Sequence, residues 1–142
     1  MSHHNDLLSN AEWLHEQHQF HGALLLAHVA LEVYVDYAFL ELFLGAFGAL
    51  DDDWSEAVPA RTFKDRGTRV LWRLMTGGDV TTEPASVWKP YSAAVEIRNA
   101  VAHGAKWPTA EEARASIDAV GAFIAQREVV MAPIRTRRAA GT

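Results

Sequence analysis

Apolar residues recur along most of this chain at the three- and four-residue spacing of helices. No hairpin-type dipeptide separates two alternating runs of apolar and polar residues, so no β-hairpin is expected. The pattern predicts an all-α protein, a bundle of four to five helices. The first three helices are predicted over residues 5–19, 23–47 and 62–76, with a break at His21 and Gly22 and a loop over 48–61.

The predicted second helix is apolar on nearly every side, which is typical of a central helix. The apolar tract from 22 to 50 is long enough to raise the question of a membrane span. Acidic residues interrupt it at Glu32, Asp36 and Glu41. Each acid near the centre of a span costs about 2.5–3.5 kcal/mol to insert. A buried bundle helix and no membrane association are therefore expected.

The fifth predicted helix has a clear start and a clear stop. Thr109 and Glu112 have the spacing of a capping box, which satisfies two backbone N–H groups at a helix start. Pro133 cannot donate a backbone hydrogen bond, so we expect the helix to end near residue 131. Residues 133–142 are then predicted to be a flexible tail.

Composition narrows the class of protein. A chain of 142 residues with 49% hydrophobic and 22% charged residues is expected to form a single globular domain over residues 1–142. The absence of cysteine excludes disulfides and thiolate metal ligands, and we expect a cytoplasmic protein. The net charge of −5 argues against non-specific coating of nucleic acid but allows a local basic cleft.

The predicted fourth helix begins at Pro84 or at Pro90, because proline suits a first helical position. Arg98 occupies the one position of the core-facing stripe that is not apolar. The other members of the stripe are Val87, Trp88, Tyr91, Ala94, Val95, Val101 and Ala102. An unpaired charge on such a face is costly, so Arg98 needs an anionic partner or a cleft.

Acidic partners for Arg98 are available on the second helix. His28, Glu32 and Asp36 recur every four residues, which places them on one helix face. We expect Glu32 to bind Arg98, with Asp36 as the second choice. The alternative is that this face is only the solvated side of the helix.

Asn99 and His103 follow Arg98 and are four residues apart, so they are neighbours on the helix surface. An arginine that binds phosphate and a histidine that transfers protons near neutral pH suit metal-free cleavage of RNA. Arg98 and His103 are five residues apart and their side chains diverge. A second copy of this helix could complete the site, so we expect a homodimer.

The chain resembles the HEPN family of small helical domains. The family motif is an arginine, four to six residues and a histidine, commonly with asparagine, aspartate or histidine after the arginine. Arg98, Asn99 and His103 match that motif. The alanine- and glutamate-rich pattern of the family's first hairpin is followed at residues 11–14, 20–23 and 27–32. The resemblance spans residues 5–130.

The resemblance implies a metal-independent, dimeric endoribonuclease of bacterial toxin–antitoxin systems or antiphage defence. His103 would transfer a proton, Arg98 would stabilise the phosphorane, and Asn99 would orient the histidine or the phosphate. The product would be a 2′,3′-cyclic phosphate. No cofactor is implied, and an antitoxin or defence protein is a possible partner. Ala105 stands where one subgroup has a tyrosine that a nucleotidyltransferase antitoxin modifies, which argues against that pairing. The family also has inactive members, so a scaffold or binding module is the alternative function.

Other basic and aromatic residues could bind RNA. Arg66, Arg69 and Arg73 lie on one face of the third predicted helix, and Trp107 follows the motif. The tail carries three more arginines, Arg135, Arg137 and Arg138. For both groups of arginines, the favoured alternative is that they are solvated surface residues without a binding role.

Histidines in the first helix raise the question of a metal. Glu12, His15, His18 and His21 have three-residue spacing, at which helical side chains can bind zinc. The chain has no HExxH motif. A metal enzyme is therefore a remote third alternative, and no metal site is predicted.

Overall fold

A computed structural model describes residues 3–49 and 62–141, which contain five helices and no strand. The helices are α1 (His3–Glu16), α2 (Phe20–Phe47), α3 (Arg66–Thr76), α4 (Ala85–Ala102) and α5 (Ala110–Ala140). The all-α prediction is therefore confirmed. Most of the predicted loop over 48–61 lies outside the described residues.

The hairpin of α1 and α2 turns earlier than the sequence suggested. The break lies at residues 17–19 and not at His21 and Gly22, which are inside α2. His18 adopts the left-handed conformation, with φ of 60°, and the Gln19 N–H donates to the carbonyl of Leu14. This geometry ends a helix by satisfying its free carbonyls, even without glycine.

The central helix of the bundle is α2, as its apolar composition predicts. By length and composition it is the one helix among the described ranges that could cross a membrane, with a mean hydropathy of 1.6 in its most apolar stretch. The bundle buries 56% of that stretch, which is consistent with the core helix of a soluble protein.

An aromatic core joins α2, α4 and α5 to the segment before α3. Phe63 lies against the rings of Phe39, Trp72 and Phe123. The Phe63 N–H also donates to the hydroxyl of Tyr91 at 2.7 Å. These contacts hold residues 62–65 as a turn, so α3 starts at Arg66 and not at the predicted residue 62.

The predicted end of the fifth helix is wrong. The Thr109 and Glu112 capping box is present, but α5 continues through Pro133 to Ala140. Pro133 removes the bond to the carbonyl of Val129, and both residues lie on the exposed side, where water can bind that carbonyl. Residues 133–140 are thus helical and not a loose tail.

Arginines of this last segment attach α5 to the end of α2. Arg135 forms ion pairs with Glu41 on α2 and with Glu128 on its own helix. Arg138 donates to the backbone carbonyls of Glu41 and Leu42 at 3.0 and 3.2 Å. Its guanidinium lies over Gly45, where a Cβ atom would overlap it. Glycine at 45 therefore allows this close approach.

Candidate functional site

The Arg98–His103 motif occupies the last turns of α4. The helix starts at Ala85 after Pro84, the first of the two predicted starts, and Pro90 lies inside it. His103 is the C-terminal cap, and Gly104 follows with φ of 72°, a conformation that favours glycine. The glycine therefore ends the helix directly after the histidine.

Arg98 contacts the predicted acidic partner. Its Nη2 lies 3.3 Å from Oε1 of Glu32 on α2, and its Nη1 lies 3.3 Å from Oδ1 of Asn99. The side chains of Arg98 and Glu32 are 36% and 55% exposed. The pair thus lies at the protein surface and not in the core, which leaves the guanidinium accessible to a ligand.

A cavity of about 360 Å³ opens between α2 and α4 beside this pair. It brings together the polar stripe of α2, three residues of α4 and Thr62. The lining residues are His28, Leu31, Glu32, Asp36, Thr62, Val95, Arg98 and Asn99. The predicted supporting residues Glu32 and Asp36 therefore do share one site with Arg98 and Asn99.

His28 is the most deeply buried polar residue of the cavity, with 4% of its surface exposed. Burial, and then the nearby positive charge of Arg98, lower its pKa from 6.5 to about 4. The imidazole is therefore neutral at physiological pH. Its Nε2 has no hydrogen-bond partner among the residues that the structure describes.

Asp36 lies one turn beyond Glu32 and lines both this cavity and an adjoining groove with Val33, Tyr37 and Leu40. Partial burial, and then the negative charge of Glu32, raise the pKa of Asp36. The adjoining groove is largely apolar. The cavity thus opens onto an uncovered apolar surface of α2.

His103 does not line the cavity. It is exposed and lies one helical turn beyond Asn99, about 7.5 Å along the axis from Arg98. Its ring makes no side-chain hydrogen bond within the described ranges. Arg98 thus lines the cavity and His103 does not, and convergence of the two in a dimer stays a prediction.

The other candidate RNA-binding residues differ in their surroundings. Arg69 donates to the carbonyls of Phe63 and Lys64 and lies over the ring of Trp88, so it stabilises the turn before α3. Arg66 and Arg73 are exposed. Trp107 is 79% exposed and contacts the ring of His21.

The histidine stripe near the first hairpin is dispersed. His15 hydrogen-bonds to the carbonyl of Ala110, and His18 lies against the ring of Phe20. Glu12 binds Arg114 through both carboxylate oxygens. Within residues 3–49 and 62–141, no three His, Asp or Glu side chains are grouped so that they could hold a metal ion.

Two polar cavity residues, His28 and Thr62, were not predicted as part of the site. Nothing in the local sequence distinguishes Thr62. The sequence did place His28 beside Glu32, because it stands four residues earlier on the same helix face. Its burial, however, depends on the packing of α4.

No family model, curated protein or solved structure matches this chain. The resemblance to the HEPN family therefore rests on the motif on α4, the alanine-rich first hairpin and the helical bundle.

Proposed function

We propose that this protein is a metal-independent endoribonuclease of the HEPN type, active as a homodimer in the cytoplasm. The observation that carries the proposal is the position of Arg98 and Asn99. They line an open cavity, Glu32 forms an ion pair with Arg98, and His103 lies one turn beyond Asn99 at the same exposed helix end.

The proposed reaction uses the ribose 2′-hydroxyl as the nucleophile. His103 accepts its proton, the 2′-oxygen attacks the adjacent phosphorus, and the bond to the 5′-oxygen breaks. The leaving 5′-oxygen takes up a proton from water, His103 later returns its proton to the solvent, and a 2′,3′-cyclic phosphate remains. Arg98 stabilises the negative charge that develops on the phosphate oxygens, and Asn99 orients the guanidinium through its 3.3 Å contact.

A second subunit is proposed to complete this site. The exposed face of α2 beside the cavity carries Val29, Tyr37, Leu44 and Phe47, with exposures of 42%, 54%, 42% and 66%. Such a stripe is suited to pairing with its own copy. Docking there would place the partner next to Asp36 and the cavity mouth, and would bring a second motif near the first.

Bacterial toxin–antitoxin systems and antiphage defence are the proposed context, with an antitoxin or defence protein as a further partner. Arg66, Arg73 and Trp107 are exposed and are proposed as additional RNA contacts.

Cleavage of RNA in the presence of EDTA tests this function. We expect the wild-type protein to cleave, with cyclic phosphate ends identified by mass spectrometry, and expect His103→Ala and Arg98→Ala to lose cleavage. Lys89→Ala, at an exposed position of α4, is the control. Full cleavage by His103→Ala would contradict the mechanism. An intact dimer without cleavage would favour the scaffold or binding function.

The dimer is tested separately by light scattering. Tyr37→Glu is expected to give a monomer without cleavage activity. Val129→Glu places the same charge at a comparably exposed apolar residue of α5 and should leave the dimer intact. A fully active Tyr37→Glu monomer would show that one subunit suffices.

A further inference from the structure

His28 is the buried polar group of the cavity that the proposed cleavage does not use. Its ring lines the cavity, yet Nε2 has no partner among the residues that the structure describes. A buried polar atom without a partner is unfavourable for folding. A molecule bound in the cavity would supply the missing hydrogen bond.

The charges of the cavity favour a ligand that donates hydrogen bonds. Two carboxylates, those of Glu32 and Asp36, share it with one guanidinium, that of Arg98. Within the described ranges, Asp36 and the second oxygen of Glu32 accept no hydrogen bond. A phosphate inside the cavity would meet excess negative charge, whereas a neutral ring with N–H groups would pair with these oxygens.

The apolar lining suits the faces of such a ring. Leu31 and Val95 are 5% and 3% exposed and supply the hydrophobic part of the wall. The volume of about 360 Å³ falls within the range of small-molecule sites. A flat ring with apolar faces and a polar edge, as in a nucleobase, matches both parts of this lining.

We propose that this cavity binds a nucleobase of the substrate, guanine in preference to the others, with His28, Glu32 and Asp36 contacting its polar edge. The inference rests on the proposed ribonuclease function, because RNA supplies the base. The N1–H and amino groups of guanine are adjacent donors that one carboxylate accepts together, and O6 accepts from the neutral imidazole of His28. Uracil has one N–H between two carbonyl groups, which would repel the carboxylates.

Calorimetric titration of the intact protein with guanosine, adenosine, cytidine and uridine tests the proposal. Guanosine should bind at least about tenfold more tightly than uridine. His28→Leu keeps the bulk and removes the hydrogen-bonding atom, so guanosine binding should fall about tenfold while the melting temperature stays equal or rises. His28→Gln should retain part of the binding.

A matched control is available in α5. Ser116 is also fully buried, and its hydroxyl oxygen has no hydrogen-bond partner within residues 3–49 and 62–141, but it does not line the cavity. Ser116→Ala should leave guanosine binding unchanged. If His28→Leu fails to fold, Asp36→Asn at the exposed mouth is the second variant, with the same loss expected.

The outcomes separate this inference from the function on which it rests. Equal binding of all four nucleosides, no binding of guanosine, or wild-type binding by a folded His28→Leu variant would overturn the base pocket. RNA cleavage in any of those cases would leave the ribonuclease proposal standing. Guanosine binding that depends on His28, without RNA cleavage by the wild type, would support the pocket and overturn the ribonuclease.

Discussion

The carboxylate of Glu32 on α2 lies 3.3 Å from the guanidinium of Arg98 on α4, and both side chains remain substantially exposed. An ion pair in contact with water contributes little to the free energy of folding. Its consequence is geometric, because it fixes the direction of a cation at the mouth of the cavity. Glu32 is therefore a positioning residue in the proposed reaction.

Replacement of the Glu32 carboxylate should separate its effect on cleavage from its effect on stability. Glu32→Gln is expected to change the free energy of unfolding by less than about 1 kcal/mol. RNA cleavage should fall about ten- to a hundredfold, since the guanidinium loses its fixed direction. Glu12→Gln, in the two-bond contact with Arg114 and outside the cavity lining, is the control and should leave cleavage unchanged. Equal cleavage by Glu32→Gln and the wild type would refute the positioning role.

The stability of the protein should depend on His28 in mildly acidic solution. The pKa of this imidazole is about 4 in the folded chain and 6.5 when free. At a pH between these two pKa values, the imidazole is protonated in the unfolded chain but not in the folded one. The free energy of unfolding therefore falls as the pH is lowered through this range. The loss amounts to about 3 kcal/mol.

Urea unfolding from pH 7 to pH 4 measures that loss. His28→Leu has no such proton, so its stability should decline less steeply than that of the wild type. The other charged groups of the cavity, namely Arg98, Glu32 and Asp36, are present in both proteins. The difference between the two curves therefore reports His28, and parallel curves would contradict its buried, neutral state.

Arg127 is the charged residue whose surroundings predict the largest loss of stability. Its side chain is fully buried, with its guanidinium 3.1 Å from Glu83 and against the rings of Trp72 and Phe123. Glu83→Gln should cost about 3–5 kcal/mol in urea unfolding, because a buried cation loses its counter-charge. Arg127→Met should cost less, since it removes the charge as well. Glu96→Gln, in the exposed pair with Lys64, should cost under about 1 kcal/mol.

Pro133 should reduce stability in its present position. It interrupts α5, and alanine there would restore the N–H that the carbonyl of Val129 lacks. Pro133→Ala should raise the free energy of unfolding by about 1–3 kcal/mol. Ala132→Ser at the neighbouring exposed position is expected to change it little. A destabilised Pro133→Ala variant would mean that proline at this position is required for packing.

Features with a local physical cause were predictable from the sequence. The polar stripe of α2 and the arginine within the apolar stripe of α4 predicted the contact between Glu32 and Arg98, although the pair lies at the surface and not in the core. The Thr109 and Glu112 capping box was equally local. The role of the Arg98–His103 motif in catalysis stays a prediction.

Features that depend on the register between helices were not predictable. His28 is buried because α4 packs over that end of the stripe, which the spacing on α2 alone does not specify. The helix beyond Pro133 persists because Arg135 and Arg138 reach α2, and these contacts outweigh the local preference of proline. Arg69, predicted as an RNA contact, is engaged with two carbonyl groups of the turn before α3.

The contact of Arg138 with α2 makes the two ends of the fold interdependent. The carbonyl groups of Glu41 and Leu42, in the last two turns of α2, accept hydrogen bonds from a side chain almost a hundred residues away. Deletion of residues 133–142, which looks harmless from the sequence, should therefore fray the final turns of the central helix. Proteolytic removal of the C-terminal residues would then be detected as faster amide hydrogen exchange at the end of α2.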